Sequence, residues 1–353
     1  MKSTILSFLL LIAVSLNSSA QDQPAGKIHG YLFGDYFYKL GGEKSGAVSG
    51  TQYSDSALTK SGAFQLRRIY LFYEHSISET FQAQFLLEGS DGVTDGKGRY
   101  SVFIKLANLE WKNILPDQNL AVGLIGTPTW VISEKVWGYR SVEKTITDIR
   151  GLGGSTDVGV SMKGSLGNDG MFGYTVMLGN GSGQKPENNK SKKYYGSFSA
   201  KPIKGLIAEV YSDFESDITR PAKAYAVSQK TTMKGFAGYQ EDRFSIGFEA
   251  VKQIQKYTDT TNVTPLGISI FASAPLMKDK LNAFARFDTY DPNTKNSNAG
   301  YKENFITAGL DFAVHKNVHI MPNIWMNTFS KKGSISSRKA DTVARVTFFY
   351  VYK

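Results

Sequence analysis

Connections of strictly alternating length constrain this chain more than any single motif in it. Period-2 hydrophobicity recurs from residue 27 to residue 352. Phe81, Ala83, Phe85 and Leu87 alternate with Gln82, Gln84 and Glu88, and Phe244, Ile246, Phe248 and Ala250 alternate with Arg243, Ser245, Gly247 and Glu249. Sixteen strands are predicted, at 27–38, 63–75, 80–89, 100–112, 118–126, 156–165, 171–179, 193–201, 204–213, 225–239, 243–254, 265–274, 280–288, 303–314, 318–328 and 341–352. Long connections then fall at 39–62, 89–99, 127–155, 180–192, 214–224, 255–264, 289–302 and 329–340. Short ones fall between them, at 76–79, 113–117, 166–170, 202–203, 240–242, 275–279 and 315–317.

A soluble sandwich also buries one face of each strand, but nothing in it makes long and short connections take turns. An up-and-down membrane barrel does, with tight turns at one rim, long loops at the other and an even strand count. Strands of about 9 to 11 residues also suit a tilted crossing of the hydrocarbon. The fold class expected is an all-β, transmembrane antiparallel barrel of 16 strands.

The first 20 residues agree with export. Lys2 precedes an apolar core from Ile5 to Leu16, and Ser18, Ser19 and Ala20 precede Gln21, as in a cleavable signal peptide. Residues 21–353 are then expected to form a single barrel domain. After Gln21 no apolar run is long enough for a membrane helix, and the chain has no cysteine for a disulfide, a thiolate metal site or a lipid anchor. The net charge of +10 points toward lipopolysaccharide or small anions, and export argues against nucleic acid.

On the last strand, Val346, Phe348, Tyr350 and Tyr352 share one face. This resembles the C-terminal signal read by the barrel assembly machinery, although Lys353 follows the final aromatic residue. The stretches at 62–89, 122–130 (VGLIGTPTW), 157–167 (DVGVSMKGSLG) and 172–183 (FGYTVMLGNGSG) together resemble the porins of the phosphate-selective O and P type and their Bacteroidota relatives. Gly123, Thr127 and Pro128 match the family's G-x-x-K-T-P pattern, with Gly126 where the pattern has Lys. The resemblance implies a Gram-negative outer-membrane channel, commonly a homotrimer, with its third loop folded into the lumen.

That loop is 127–155. It carries Lys135, Arg140, Lys144 and Arg150 among Glu134, Glu143 and Asp148, a mixture that would set up a transverse field at a constriction. Parity along the strands turns Arg68, Lys163, Arg243, Arg286 and Arg345 inward, beside Glu88, Glu209, Asp213, Glu249 and Asp288. Arg67 and Arg68 cannot both face the lumen unless a bulge intervenes. No catalytic site, metal site or cofactor is expected: His29, His75, His315 and His319 form no HExxH, and neither GxSxG nor GK[ST] occurs. The function expected is passive diffusion of small hydrophilic solutes or ions, with an anion or phosphate preference as the sharper form. A barrel plugged by its third loop and serving as a surface-binding protein is the alternative.

Overall fold

The computed structural model describes residues 25–42, 59–167, 170–216, 227–257 and 262–353. The signal peptide expected at 1–20 lies outside the described residues, as does 43–58 of the first long connection.

The strands are β1 (Ala25–Gly41), β2 (Gly62–Ser76), β3 (Phe81–Thr94), β4 (Tyr100–Leu115), β5 (Gln118–Gly126), β6 (Thr156–Leu166), β7 (Phe172–Gly179), β8 (Lys193–Ala200) and β9 (Leu206–Ser216). They continue as β10 (Val227–Glu241), β11 (Phe244–Tyr257), β12 (Asn262–Val263), β13 (Leu266–Met277), β14 (Leu281–Asp291), β15 (Tyr301–His315), β16 (Val318–Lys331) and β17 (Asp341–Tyr352). The two-residue β12 pairs only with the end of β11, which β13 also pairs with along its length, so the wall has sixteen staves. Each stave runs antiparallel to its sequence neighbour. β1 meets β17 in register from Gly30 opposite Tyr352 to Lys39 opposite Val343, which closes the sheet and leaves no open edge.

The side-chain distribution is the reverse of a soluble protein's. Val122, Val160, Val176, Val210, Ile246, Phe248, Ile270 and Phe287 are exposed on the outer face. The residues that alternate with them inward include buried Ser161, Glu209, Glu249 and Asp288. Water would penalise that outer face over its whole circumference; a hydrocarbon surround removes the penalty. Among the described residues no helix is long and apolar enough to cross a membrane.

The long connection expected at 89–99 contracts. Ladder pairing of β3 with β4 resumes at Thr94 opposite Tyr100, leaving only a tight turn, because main-chain bonding above the membrane needs no apolar side chains. Asp95 Oδ1 accepts from the Lys97 and Arg99 amides at 2.9 and 3.0 Å and closes that turn.

Residues 127–155 fold inward. They carry a helix at Val131–Trp137 and one further turn at Ile146–Ile149. Val136, Trp137, Tyr139 and Val142 pack with inward-facing Phe236, Phe271, Phe284 and Met321, from β10, β13, β14 and β16. Gly138, at φ 71°, takes the left-handed conformation that ends the helix and lets Tyr139 turn back onto Phe284, 4.3 Å between ring centroids.

Candidate functional site

A segment that leaves the ladder must find other partners for its carbonyls, and here the inner wall supplies them. Lys234 Nζ donates to Thr129 O at 2.6 Å, Ser245 Oγ to Val136 O at 2.7 Å, and Gln253 Nε2 to Leu152 O at 2.9 Å. From the opposite side Arg67 Nη1 donates to Ser141 O and Val142 O at 2.9 and 2.7 Å. Arg286 donates to Lys144 O, and Thr147 donates its hydroxyl to Glu249. Arg150 Nη1 lies 2.6 Å from Glu303 Oε2 and its guanidinium sits over the Tyr290 ring. The loop is therefore fastened mainly along the β10 to β16 wall, with Arg67 of β2 and Tyr211 of β9 as further anchors, and space remains on the side of β2 to β9.

Three adjoining cavities occupy that space. The widest, about 550 Å³, lies between Trp130 to Ile132 of the loop and a wall bearing Gln84, Asn108, Glu110 and Lys163. It shares Lys163, Thr175 and Ser197 with a cavity of about 410 Å³ at the short-turn rim, beside Asn113 and Asp117. At its other end it shares Leu106, Gly126 and Trp130 with a narrower chamber of about 240 Å³.

The narrow chamber is densely charged. Glu88 pairs with Arg68 at 2.9 Å and with Lys105 at 3.0 Å, all three from the wall. Across the chamber the loop supplies Arg140, 3.0 Å from Glu134 and 3.9 Å from Asp148, and Lys144, 3.6 Å from Asp148. Four cations thus meet three carboxylates. Burial pushes the Glu134 carboxyl up to about 7 against the pull of Arg140, and burial also lowers the Lys144 ammonium below its usual range despite Asp148.

Two β-bulges bring the wall cations there. Pairing of β2 with β1 shifts by one residue between Phe33 opposite Arg68 and Asp35 opposite Gln65, so Arg67 and Arg68 both turn inward. On β4 the register with β3 shifts between Leu86 opposite Leu106 and Leu87 opposite Ile104, and Lys105 joins Leu106 on the inner face. Glu88, on the strand between the two bulges, receives a cation from each.

The residues expected at the site divide into three groups. Arg68, Glu134, Arg140, Lys144 and Asp148 converge on the narrow chamber, and Lys163 lines the two wider cavities with Glu110 at 2.6 Å. Glu143, Arg286 and Arg345 are buried and Arg150 is partly so: Arg286 binds Asp288 at 2.5 Å, Arg345 lies over Trp325, and Glu143 faces Arg67. Lys135 is on the exposed side of the helix and lines none of these cavities. Arg243 needs correction. It lies in the exposed turn before β11, where strand parity does not apply, so it does not belong to the wall. Lys105 was missed by parity reasoning, yet the sequence carried a signal: apolar outward residues switch from Val102 and Ile104 to Ala107 and Leu109 across it.

No family model matches this sequence, and no curated protein sequence matches it. Solved structures do. An anion-selective porin from Comamonas acidovorans is similar over 94% of this chain and 100% of its own, with a TM-score of 0.65 at 12% identity. The fold is that of the outer-membrane porins. The outer-membrane channel DcaP of Acinetobacter baumannii is similar over 95% of this chain and 99% of its own, with a TM-score of 0.66 at 10% identity. Salmonella typhi OmpF is similar over 93% and 97%, with a TM-score of 0.62 at 12% identity. Porin-like architecture is thus retained with little of the sequence in common.

Proposed function

We propose that the protein is an outer-membrane porin of a Gram-negative bacterium, a passive diffusion channel for small hydrophilic solutes with a preference for anions. The observation that carries this reading is the run of adjoining cavities from the short-turn rim to the charged chamber, inside a barrel whose outer face is apolar. Water in such a lumen solvates the wall, while Arg68, Lys105, Arg140 and Lys144 outnumber the carboxylates opposite them and favour negative ions in the narrow chamber. Similarity to an anion-selective porin supports the sign of that preference.

Phosphate selectivity in the narrow sense has less support. Gly126 contributes no charge where the resembling pattern has Lys, and each chamber cation already faces a carboxylate. Assembly as a homotrimer and contact with lipopolysaccharide belong to the same proposal; one of the similar structures is described as a trimer form.

Planar-bilayer recording of the purified, folded protein in a salt gradient tests the reading. Stable conducting steps with a reversal potential on the anion side are expected. Silence from folded protein would overturn it in favour of the plugged, surface-binding barrel.

A further inference from the structure

The narrow chamber is charged on the loop side, but much of its wall side is not. Tyr31, Tyr70, Phe72, Leu86 and Leu106, inward residues of β1 to β4, form a continuous apolar strip. Its rings are in mutual contact: centroids of Tyr31 and Tyr70 are 4.7 Å apart, and those of Tyr31 and Phe72 are 6.3 Å apart. Tyr31 and Phe72 are only half-buried. Apart from the hydroxyls of Tyr31 and Tyr70, such a strip presents ring faces and aliphatic chains, which offer little to inorganic ions.

The loop side has donors to spare. Lys144 Nζ is 3.6 Å and Arg140 Nη2 3.9 Å from Asp148, both longer than a charge-assisted hydrogen bond. A small solute with a carboxylate at one end and an apolar body could shorten neither contact but could accept from both donors. Trp130, half-buried at the junction with the wide cavity, adds a fourth aromatic ring.

We infer that the narrow chamber is a subsite for small amphipathic organic anions, aromatic monocarboxylates above all, with the ring against Tyr31 and Phe72 and the carboxylate toward Arg140 and Lys144. This rests on the channel reading for its biological sense, although binding can be measured without conduction. The chamber's volume, about 240 Å³, admits a single aromatic ring with its carboxylate.

Isothermal titration of the detergent-folded protein with sodium benzoate, sodium phosphate and benzyl alcohol separates the contributions. Benzoate is expected to bind at least tenfold more tightly than either of the others, since phosphate lacks the ring and benzyl alcohol the charge. Phe72→Ser on the wall and Arg140→Gln on the loop should each weaken benzoate about tenfold. Heat-modifiable migration on gels reports whether each variant is folded, and Trp130→Leu provides a further variant from the loop. Equal binding of benzoate and phosphate, or folded variants that retain wild-type benzoate affinity, would overturn the subsite. In bilayers benzoate should interrupt the current at concentrations where phosphate does not. Conduction that ignores benzoate refutes the subsite alone, whereas benzoate binding by a silent barrel refutes the channel and upholds the subsite.

Discussion

Arg67 and Arg68 are adjacent in sequence, yet both side chains enter the lumen, because the bulge on β2 turns two successive residues to the same face. They do different work there. Arg67 is buried, binds the loop carbonyls of Ser141 and Val142, and lies 3.6 Å from Asp35. Arg68 faces the chamber with Glu88.

Replacing the two arginines should therefore separate stability from selectivity. Arg67→Ala removes the cation beside buried Asp35 and Glu143 and the donor to two loop carbonyls, and is expected to destabilise the folded barrel by about 3 kcal/mol. Urea unfolding in detergent micelles measures this. Arg68→Gln should change stability by less than about 1 kcal/mol but move the reversal potential toward cation selectivity. Equal stability losses for the two variants would contradict the division.

The carboxyl of Glu134 gives the narrow chamber a pH dependence whose sign follows from its burial. Burial holds its pKa at about 7, above the ordinary carboxylate value, so the group becomes neutral as pH falls through about 7. The chamber then loses one negative charge while Arg140 and the wall cations keep theirs. Anion selectivity is expected to increase between pH 8 and pH 6, and Glu134→Gln should show the low-pH selectivity at both. Reversal potentials measured across that range decide it.

Strand count is legible because period-2 patterning and alternating connection lengths are local properties of the chain, whereas an inward fold of residues 127–155 is expected only from the family resemblance. Parity correctly turned Arg286 and Arg345 away from lipid, but it could not tell a side chain in water from one covered by the loop. The face the loop turns to the wall depends on shape matching between Trp137 and Tyr139 and the rings of Phe271 and Phe284, and no periodicity encodes that. A bulge is harder still to read. It adds one residue to a strand and reverses parity beyond it, so parity alone turns Lys105 away from the lumen and leaves the Arg67 and Arg68 pair ambiguous. Arg243 was misplaced by an uncertainty of one residue at a strand end.

Fastening of the loop can be tested at Lys234, fully buried between Thr129 O at 2.6 Å and Glu209 Oε2 at 2.7 Å. Lys234→Met leaves the Glu209 carboxylate without its cation and the start of the loop without a donor, a loss of about 3 to 5 kcal/mol for a buried pair broken on one side. The loop should loosen before the barrel does. Conductance is expected to become larger and noisier, and trypsin should cleave at exposed Lys135 while the barrel stays resistant. A quiet channel with wild-type conductance would show that Lys234 is not needed to hold the loop.

Neighbouring residues on β7 distinguish the two faces of the wall directly. Val176 is 51% exposed on the outer face, and Thr175 lines the two wider cavities. Lysine at 176 would place a charge in hydrocarbon and should cost about 2 to 4 kcal/mol near the bilayer midplane, less toward either interface. Lysine at 175 enters solvated space beside Lys163, so its folding cost should be small and its effect electrical, a further shift toward anion selectivity. Folding yield into lipid vesicles, read with the reversal potential, gives opposite signatures for the two variants. If Val176→Lys folded as well as wild type while Thr175→Lys failed, the inner and outer faces assigned here would have to be exchanged.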